Sequence, residues 1–533
     1  MKNFSLLDCT LRDGGYINDW KFGYDDIKSI LERLTKANID IIECGFLEDG
    51  FYDKDTSLFR DTDQIASLLP VPRGVSQYVA MIRFGHLAID NLKPYDGNSI
   101  SGLRITFHEN EVKEAIEYCR LIQDKGYNVY VQPVGTTSYS DQYLLELITL
   151  VNSLKPYAFY IVDTLGLMKK NDLLRMFYLV DNNLSKEIRI GYHSHNNLQL
   201  AFSNAQELLN VQTKRNVIID SSVHGMGRGA GNLNTELITQ YLNTAKETAY
   251  QTDYLLEIVD ETTNVILRKH TWGYSVPYYL AATNNCHPNY ASYLMGRKTL
   301  PVKAISAILK NINADQREIY NENYIFELYK QFQEHHIDDA NTLNRLKDRL
   351  QGKRILVIAP GKSVNSNLEI IGDYDKVNDV TITVNFDGND FNVDYCFFSN
   401  SKRFSQYIGT QKAALRDKQY IITSNIQTEI NRNFDIVNYS SLINSEKVAS
   451  DNAMLMLISL LIQLNQKSID IIGFDGYQLG VPGNYSDEIL ENILDDATVE
   501  NLNTEIKRVV ALYSQRIQLN FLTNSIYRPS IID

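Results

Sequence analysis

Short β-rich runs alternate with helix-period stretches from the start of the chain to about Tyr241, and few folds accommodate such a pattern. Apolar residues keep helical spacing in stretches such as Asp25–Ala37 and Asp141–Leu154. Eight strands that alternate with helices predict a parallel (β/α)8 TIM barrel. The predicted strands are Phe4–Cys9, Ile39–Phe46, Gln77–Ile82, Gly102–Phe107, Asn128–Pro133, Ala158–Val162, Ile188–His193 and Val217–Val223.

Polar residues follow or end four of these predicted strands. Asp13 follows strand one, Glu43 ends strand two, and His193 and His195 end strand seven, while a glycine-rich run, Gly225–Asn232, follows strand eight. Active sites of such barrels lie at the C-terminal ends of the strands. Because closure makes strands seven, eight, one and two neighbours, we expect these residues to meet at one mouth.

The spacing of the two histidines indicates a metal site. Side chains at i and i+2 of a strand point the same way, so His193 and His195 can bind one ion, with Asp13 as third ligand. This set leaves positions open on Mg²⁺ or Mn²⁺ for a chelating 2-oxo acid, whose ketone the cation would polarise. The same ligand set suits non-haem iron oxygenases, against which the barrel pattern argues.

The motifs that carry these residues resemble the DRE-TIM metallolyase (pyruvate carboxyltransferase-like) superfamily, and within it 4-hydroxy-2-oxovalerate aldolase. The resemblance implies a divalent-metal-dependent aldolase or lyase that makes or breaks a C–C bond next to a 2-oxo acid. It assigns Arg12, Asp13 and Glu43 to the superfamily's namesake triad and places Asn232 in the metal shell. The matching segments are Asp8–Gly14, Ile42–Phe46, Val162–Gly166, His193–His195 and Gly227–Asn232 with Glu236.

Each remaining site residue has an expected role. Arg12 could hold a developing enolate oxygen, with Glu43 fixing its orientation. Tyr16 stands where the aldolase branch has a histidine thought to act as the base. Because a phenol is a poor base at neutral pH, Tyr16 is expected to shuttle a proton, or His108 or His224 takes that role.

Beyond the barrel domain, residues 1–242, the pattern changes twice. Residues 243–350 keep helical spacing and predict a helical extension and connector. Residues 351–533 begin with an apolar run that breaks at Pro360-Gly361, and further apolar runs follow, which predicts a Rossmann-like α/β domain. The whole chain is therefore expected to be an α/β protein of two domains.

The C-terminal domain weakly resembles the Rossmann-like domains of bacterial sialyltransferases. The resemblance implies a nucleotide or nucleotide-sugar site, and with it a possible transferase activity and a role in surface-polysaccharide biosynthesis. The alternative is an inert or regulatory domain in which the aspartate of the last motif only caps a turn. The residues matched to the site are Gly361, Ser363, Asn385, Gly473 and Asp475.

Composition limits the kinds of partner and the cellular compartment that we expect. A net charge of -13 counts against nucleic-acid binding, and five scattered cysteines without CxxC spacing predict free thiols in a reducing cytoplasm. The longest apolar run near the C-terminus, Ala453–Leu464, is too short to span a membrane.

We expect a cytoplasmic homo-oligomer acting on a 2-oxo acid and an aldehyde. A Claisen-type synthase using an acyl-CoA, or a non-catalytic scaffold barrel, remains the alternative.

Overall fold

The computed structural model describes residues 3–317, 319–374, 378–386, 393–410, 418–430, 433–479, 484–486, 494 and 496–529. The chain divides into two compact units, one of Met1–Ala291 with Arg317–Ile319 and one of Ser292–Gln316 with Tyr320–Asp533. Helices of the predicted connector are therefore shared between the two units. In the described part of the chain, no helix is both long and apolar enough to cross a membrane.

The first unit contains the predicted parallel barrel. Eight strands pair in the order β1-β9-β8-β7-β6-β5-β4-β2, and β1 also pairs with β2, which closes the sheet. One short strand, β3, adds to the outside of β2 and was not expected from the sequence. The strands are β1 Phe4–Asp8, β2 Ile41–Leu47, β3 Leu58–Phe59, β4 Gln77–Arg83, β5 Gly102–Phe107, β6 Asn128–Pro133, β7 Ala158–Asp163, β8 Arg189–Ser194 and β9 Val217–Ser221.

Helices follow the barrel strands and bury their apolar faces against them. In α1 the buried residues recur at helical spacing, as in Ile27, Ile30, Leu31 and Leu34. The helices of this unit are α1 Tyr24–Lys36, α2 Thr62–Ala66, α3 Val112–Asp124, α4 Asp141–Leu154, α5 Lys170–Asn183, α6 Ala201–Asn210, α7 Thr235–Ala245, α8 Thr252–Ile258, α9 Asn264–Leu267 and α10 Val276–Thr283, and α11 Pro288–Gly296 begins in it.

The barrel interior is layered. Its apolar floor includes Leu7, Ile41, Val79, Ala158 and Ile218. Two residues further along their strands than Ile41 and Ile218 lie Glu43 and Asp220, which therefore point to the same interior. Both carboxylates meet the fully buried guanidinium of Arg104 from β5. A charged layer thus lies above the apolar floor, at the C-terminal end of the barrel.

The second unit contains a seven-stranded parallel sheet in the order β14-β13-β12-β11-β10-β15-β16. This arrangement is the predicted second α/β domain, with two short strands, β14 and β16, that the sequence pattern did not indicate. The order reverses between β10 and β15, so their C-terminal ends border a crevice. The strands are β10 Arg354–Ile358, β11 Asp379–Val384, β12 Tyr395–Phe398, β13 Gln419–Thr423, β14 Asp435–Val437, β15 Ser468–Ile472 and β16 Gln518–Phe521.

Helices cover this sheet, and the most apolar of them, α17, is almost entirely buried. Its N-terminal cap is Asn452, whose side chain accepts hydrogen bonds from the amides of Met454 and Leu455. The helices of the unit after α11 are α12 Val302–Lys310, α13 Glu322–Gln333, α14 Ala340–Leu350, α15 Leu368–Gly372, α16 Ser401–Thr410, α17 Ala453–Gln463 and α18 Asp496–Tyr513.

Candidate metal centre

The structure brings together the three predicted metal ligands. Asp13, His193 and His195 each offer one ligand atom, these atoms lie within 4.8 Å of one another, and all three residues are buried. The two imidazole rings have centroids 5.3 Å apart. Burial lowers the pKa of His195 to about 4 despite the opposing charge of Asp13. His195 is therefore neutral at pH 7 and keeps a lone pair for a cation.

Asp13 is held from both sides. Its two carboxylate oxygens accept hydrogen bonds from Arg12 Nη1 at 2.5 Å and from Asn232 Nδ2 at 2.6 Å. Burial alone would raise the pKa of Asp13, but the charge of Arg12, assisted by the two imidazoles and by the hydrogen bond from Asn232, holds the pKa well below its ordinary value. The ligand is therefore ionised at neutral pH.

Glu43 joins two buried arginines. Its Oε2 accepts hydrogen bonds from Arg12 Nε at 2.9 Å and from Arg104 Nη1 at 2.8 Å. The second terminal nitrogen of the Arg12 guanidinium, Nη2, is buried and has no hydrogen-bond partner among the described residues. Arg12 is thus fixed in orientation and retains one donor for a ligand.

Asp220 connects Arg104 to the candidate metal ligand His193. It accepts a hydrogen bond from Arg104 Nη2, and its Oδ2 lies 3.0 Å from His193 Nδ1. An imidazole that donates from Nδ1 presents the lone pair of Nε2, the arrangement common to histidines that bind metal. Asp220 therefore orients His193.

The glycine-rich run after β9 brings Asn232 to the centre. A Cβ on Gly227 would lie 2.4 Å from Asn232 Nδ2 and 2.9 Å from Asp13 Oδ2, so only glycine fits there. Asn232 Nδ2 also approaches the Met226 carbonyl at 3.2 Å, while its Oδ1 is buried without a hydrogen-bond partner in the described part of the chain. Asn232 thus lies against the candidate ligand Asp13.

Tyr16 is half-buried next to this centre, where its amide donates a hydrogen bond to the Asp13 carbonyl at 3.3 Å. Its ring makes edge contacts with Trp20, at a centroid distance of 4.8 Å, and with Phe46, at 6.3 Å. The guanidinium of Arg228 lies over the ring, 4.3 Å from its centroid. No side chain among the described residues hydrogen-bonds to the Tyr16 hydroxyl, which leaves it open to a ligand.

The other histidines considered for proton transfer lie in different settings. His108 is exposed and precedes a helical turn. His224 is half-buried, its Nδ1 lies 3.1 Å from the Thr263 hydroxyl, and its ring contacts Trp272.

The residues proposed for the second site lie where β10, β11 and β15 end. The Gly361 amide donates to the Gly473 carbonyl at 2.8 Å, and a Cβ on Gly361 would lie 2.2 Å from that oxygen. Ser363 donates its amide, at 2.8 Å, and its hydroxyl to the Asp475 carboxylate. Asn385 has a φ of 59°, which non-glycine residues rarely adopt. Hydrogen bonds therefore join the loop after β10, which contains Gly361 and Ser363, to the loop after β15, which contains Gly473 and Asp475.

These loops border a cavity of about 540 Å³ within the second unit. It lies at the reversal of strand order, where open α/β sheets bind ligands. Two of its cations are neutralised, because Arg297 pairs with Asp451 at 2.7 Å and Lys447 pairs with Glu322 at 2.7 Å. The aromatic side chains that line it are Tyr293, Phe474, Tyr477, Tyr485 and Tyr527.

The charge of the barrel centre fits a divalent cation. The ion-pair network contains two buried guanidinium groups and three buried carboxylates, so one of its negative charges is uncompensated. Its members are Arg12, Arg104, Asp13, Glu43 and Asp220. An uncompensated buried charge is costly, so the site calls for a cation. Carboxylate, imidazole and amide donors suit Mg²⁺ or Mn²⁺. Asp13, His193 and His195 would hold it, with Asn232 beside them.

Sequence reasoning missed three residues of this site. Arg104 and Asp220 are the only charged residues of β5 and β9, and a charge in a buried strand indicates that it needs a partner. Arg228 stands in a glycine-rich loop, where no periodicity indicates the direction of a side chain.

The HMGL-like family matches residues 3–266. A 4-hydroxy-2-oxovalerate aldolase of Pseudoalteromonas translucida is 27% identical over 244 residues, covering 45% of this chain and 70% of that protein. An oxaloacetate decarboxylase of Mycobacterium tuberculosis is 25% identical over 245 residues, covering 44% and 69%. A solved HMG-CoA lyase of Brucella melitensis matches with 15% identity and a TM-score of 0.39, covering 48% of this chain and 96% of that chain. Residues 3–266 of this chain therefore belong to the HMGL-like family, as the motifs at the strand ends predict.

Proposed function

We propose that the first unit is a divalent-metal-dependent aldolase that forms or cleaves a C–C bond next to a 2-oxo acid. The observation that carries this proposal is the meeting of Asp13, His193 and His195 beside the open donor of Arg12. A related aldolase and a related decarboxylase both act on 2-oxo acids according to their names, which supports the same substrate class here.

Arg12, Glu43 and Arg104 have separate roles beside the metal ligands. A divalent cation bound by the three ligands supplies Lewis acidity to a 2-oxo acid. Arg12 Nη2 donates to the oxygen that becomes negative in the enolate, a contact that strengthens as charge develops. Glu43 keeps Arg12 in place through its 2.9 Å hydrogen bond. Arg104 fixes Glu43 from the other side.

We assign to Tyr16 the transfer of a proton at the aldehyde oxygen. In the direction of bond formation, this oxygen gains the electron pair of its carbonyl and needs a proton, which the phenol can donate. In cleavage the same phenolate would take the proton back. The open hydroxyl of Tyr16 supports this assignment over the exposed His108 and over His224, whose ring nitrogen already contacts Thr263.

The two enzyme alternatives are separated by their second substrate. An aldolase should produce a 4-hydroxy-2-oxo acid from pyruvate and an aldehyde with Mn²⁺ and without any acyl-CoA. A Claisen-type synthase should instead release free thiol from acetyl-CoA when a 2-oxo acid is present. Thiol release together with no aldol product would overturn the proposal. A scaffold barrel would show neither activity and would not need the complete ligand set that is present.

We further propose that the second unit binds a nucleotide or nucleotide sugar in its cavity. Aromatic rings suit a base or a sugar face, and Lys298 and Arg403 on its wall suit phosphate. On the sequence resemblance, we assign the chain to surface-polysaccharide biosynthesis.

Thermal unfolding tests this second proposal, because a ligand of the native state raises the melting temperature. CMP and a UDP-sugar should each be compared with cytidine or uridine at equal concentration. Stabilisation by the phosphorylated form alone, lost in Lys298→Ala and kept in the surface control Lys347→Ala, is expected. Equal effects of nucleoside and nucleotide would contradict a phosphate contact. Hydrolysis of the bound UDP-sugar would show transferase-type chemistry.

A further inference from the structure

Arg228 occupies a defined place above the metal centre. It belongs to the glycine-rich run that delivers Asn232, and its neighbour Gly227 passes close to Asp13 Oδ2, since a Cβ on that glycine would lie 2.9 Å away. Its guanidinium lies 4.3 Å from the centroid of the Tyr16 ring. The positive charge of Arg228 therefore lies over the ring of the tyrosine that we assign to proton transfer.

No carboxylate within the described part of the chain pairs with Arg228, which is exposed. The acidic groups below it are already engaged, since Glu43 and Asp13 both bind Arg12. Arg83, the other arginine near Tyr16, pairs with Glu48 at 3.2 Å. Arg228 is thus an exposed cation that forms no ion pair with any of the residues that the structure describes.

We propose that Arg228 binds an anionic group on the second substrate, so that the natural aldehyde carries a carboxylate or a phosphate. This inference rests on the proposed aldolase function. The carboxylate of pyruvate is not the partner expected for Arg228, because Arg12 and Asp13, to which the proposed function assigns the 2-oxo acid and the cation, are buried whereas Arg228 is exposed. Arg228 is exposed at the entrance, so it faces the group that enters second.

The reaction at this site balances without a further reactant. The methyl group of pyruvate loses a proton to solvent water to give the enolate, whose terminal carbon forms one C–C bond to the aldehyde carbon. The π electron pair of the aldehyde moves to its oxygen, which takes a proton from Tyr16, and the phenolate regains a proton from solvent. Arg228 holds the anionic end of the aldehyde and takes no part in bond making, so it is a specificity-determining residue.

Two matched pairs of aldehydes test the inference. Succinic semialdehyde against butanal probes a carboxylate, and glyceraldehyde 3-phosphate against glyceraldehyde probes a phosphate. For the wild type, kcat/KM should favour the anionic member of one pair. Arg228→Gln should reduce that preference by about 10- to 100-fold, mainly through KM, as expected for loss of a charge-assisted contact.

Two further variants separate charge from structure. Arg228→Lys keeps the charge without the bidentate fork and should retain part of the preference. Arg175→Gln removes an exposed arginine that pairs with Asp141 and should leave the preference unchanged.

Exchange of the pyruvate methyl protons needs no second substrate, so it reports the aldolase proposal separately. A wild type that exchanges these protons but does not favour the anionic member of either pair overturns the role of Arg228 alone. An unchanged kcat/KM preference for the anionic aldehyde in Arg228→Gln also overturns the role of Arg228 alone. A metal-loaded protein without exchange overturns both proposals.

Discussion

His193 Nδ1 lies 3.0 Å from the Oδ2 atom of Asp220, and both side chains are buried in the barrel. The hydrogen bond fixes which imidazole nitrogen faces the centre. Asp220 is itself held by Arg104, whose other nitrogen binds Glu43. One continuous network thus connects a metal ligand with the arginine that we expect to contact substrate.

Asp220→Asn should weaken binding of Mn²⁺ by about 10- to 100-fold, because it disturbs the partner that orients a metal ligand. Isothermal titration of the metal-free protein measures this affinity. Asp141→Asn, a change in an exposed ion pair of the same unit, serves as the control and should bind Mn²⁺ like the wild type. Equal affinities in Asp220→Asn and the wild type would show that Asp220 does not support the centre.

Gly227→Ala should impair the centre by steric displacement. The added methyl group would lie 2.4 Å from Asn232 Nδ2 and 2.9 Å from Asp13 Oδ2, and neither buried group can move away freely. We expect about a tenfold or greater loss of Mn²⁺ affinity and of aldol activity, a shift of at least about 1.4 kcal/mol. Gly372→Ala, where a Cβ meets open space, is the matched control. A fully active Gly227→Ala would refute the close approach.

Tyr16→Phe should lower the rate of aldol cleavage by about 10²- to 10⁴-fold, the usual contribution of a positioned proton donor. The phenyl ring preserves the contacts with Trp20 and Phe46, so the fold should be unchanged. Steady-state kinetics with a 4-hydroxy-2-oxo acid, together with Mn²⁺ titration, separates proton transfer from metal loss. A rate within twofold of the wild type would assign the proton to another group.

Asp451→Ala should destabilise the second unit by about 3–5 kcal/mol, because it leaves the buried Arg297 without its carboxylate. The same aspartate accepts hydrogen bonds from Tyr329 and Tyr439, which adds to the loss. Urea unfolding followed by fluorescence measures the change. Glu327→Ala breaks an exposed pair on α13 and should cost at most about 1 kcal/mol. Similar values for both variants would contradict a structural role of the buried pair.

The sequence was sufficient to predict the barrel and the proximity of Asp13, His193 and His195. Alternating strands and helices define the closed sheet, and the i, i+2 spacing of His193 and His195 places both rings on one face. The glycines before Asn232 indicate a close approach of the backbone, and the structure shows Gly227 against Asp13.

The remaining features depend on contacts that no local pattern encodes. Arg104 meets Asp220 from a strand 116 residues away in the chain. The strands β14 and β16 have only three and four residues, too few for a clear period. The Ser363–Asp475 bond joins two loops 112 residues apart, so its existence could be expected only once the strand order was known.

Deuterium incorporation into the methyl group of pyruvate tests the central claim most directly. Protein in D₂O is incubated with pyruvate, with and without Mn²⁺, and the product is analysed by mass spectrometry. Exchange that requires Mn²⁺ and is absent in Asp13→Ala and His195→Ala, with circular dichroism spectra like the wild type, is the predicted result. Metal-loaded wild-type protein that exchanges no faster than these two variants would contradict an enolate-forming metal centre.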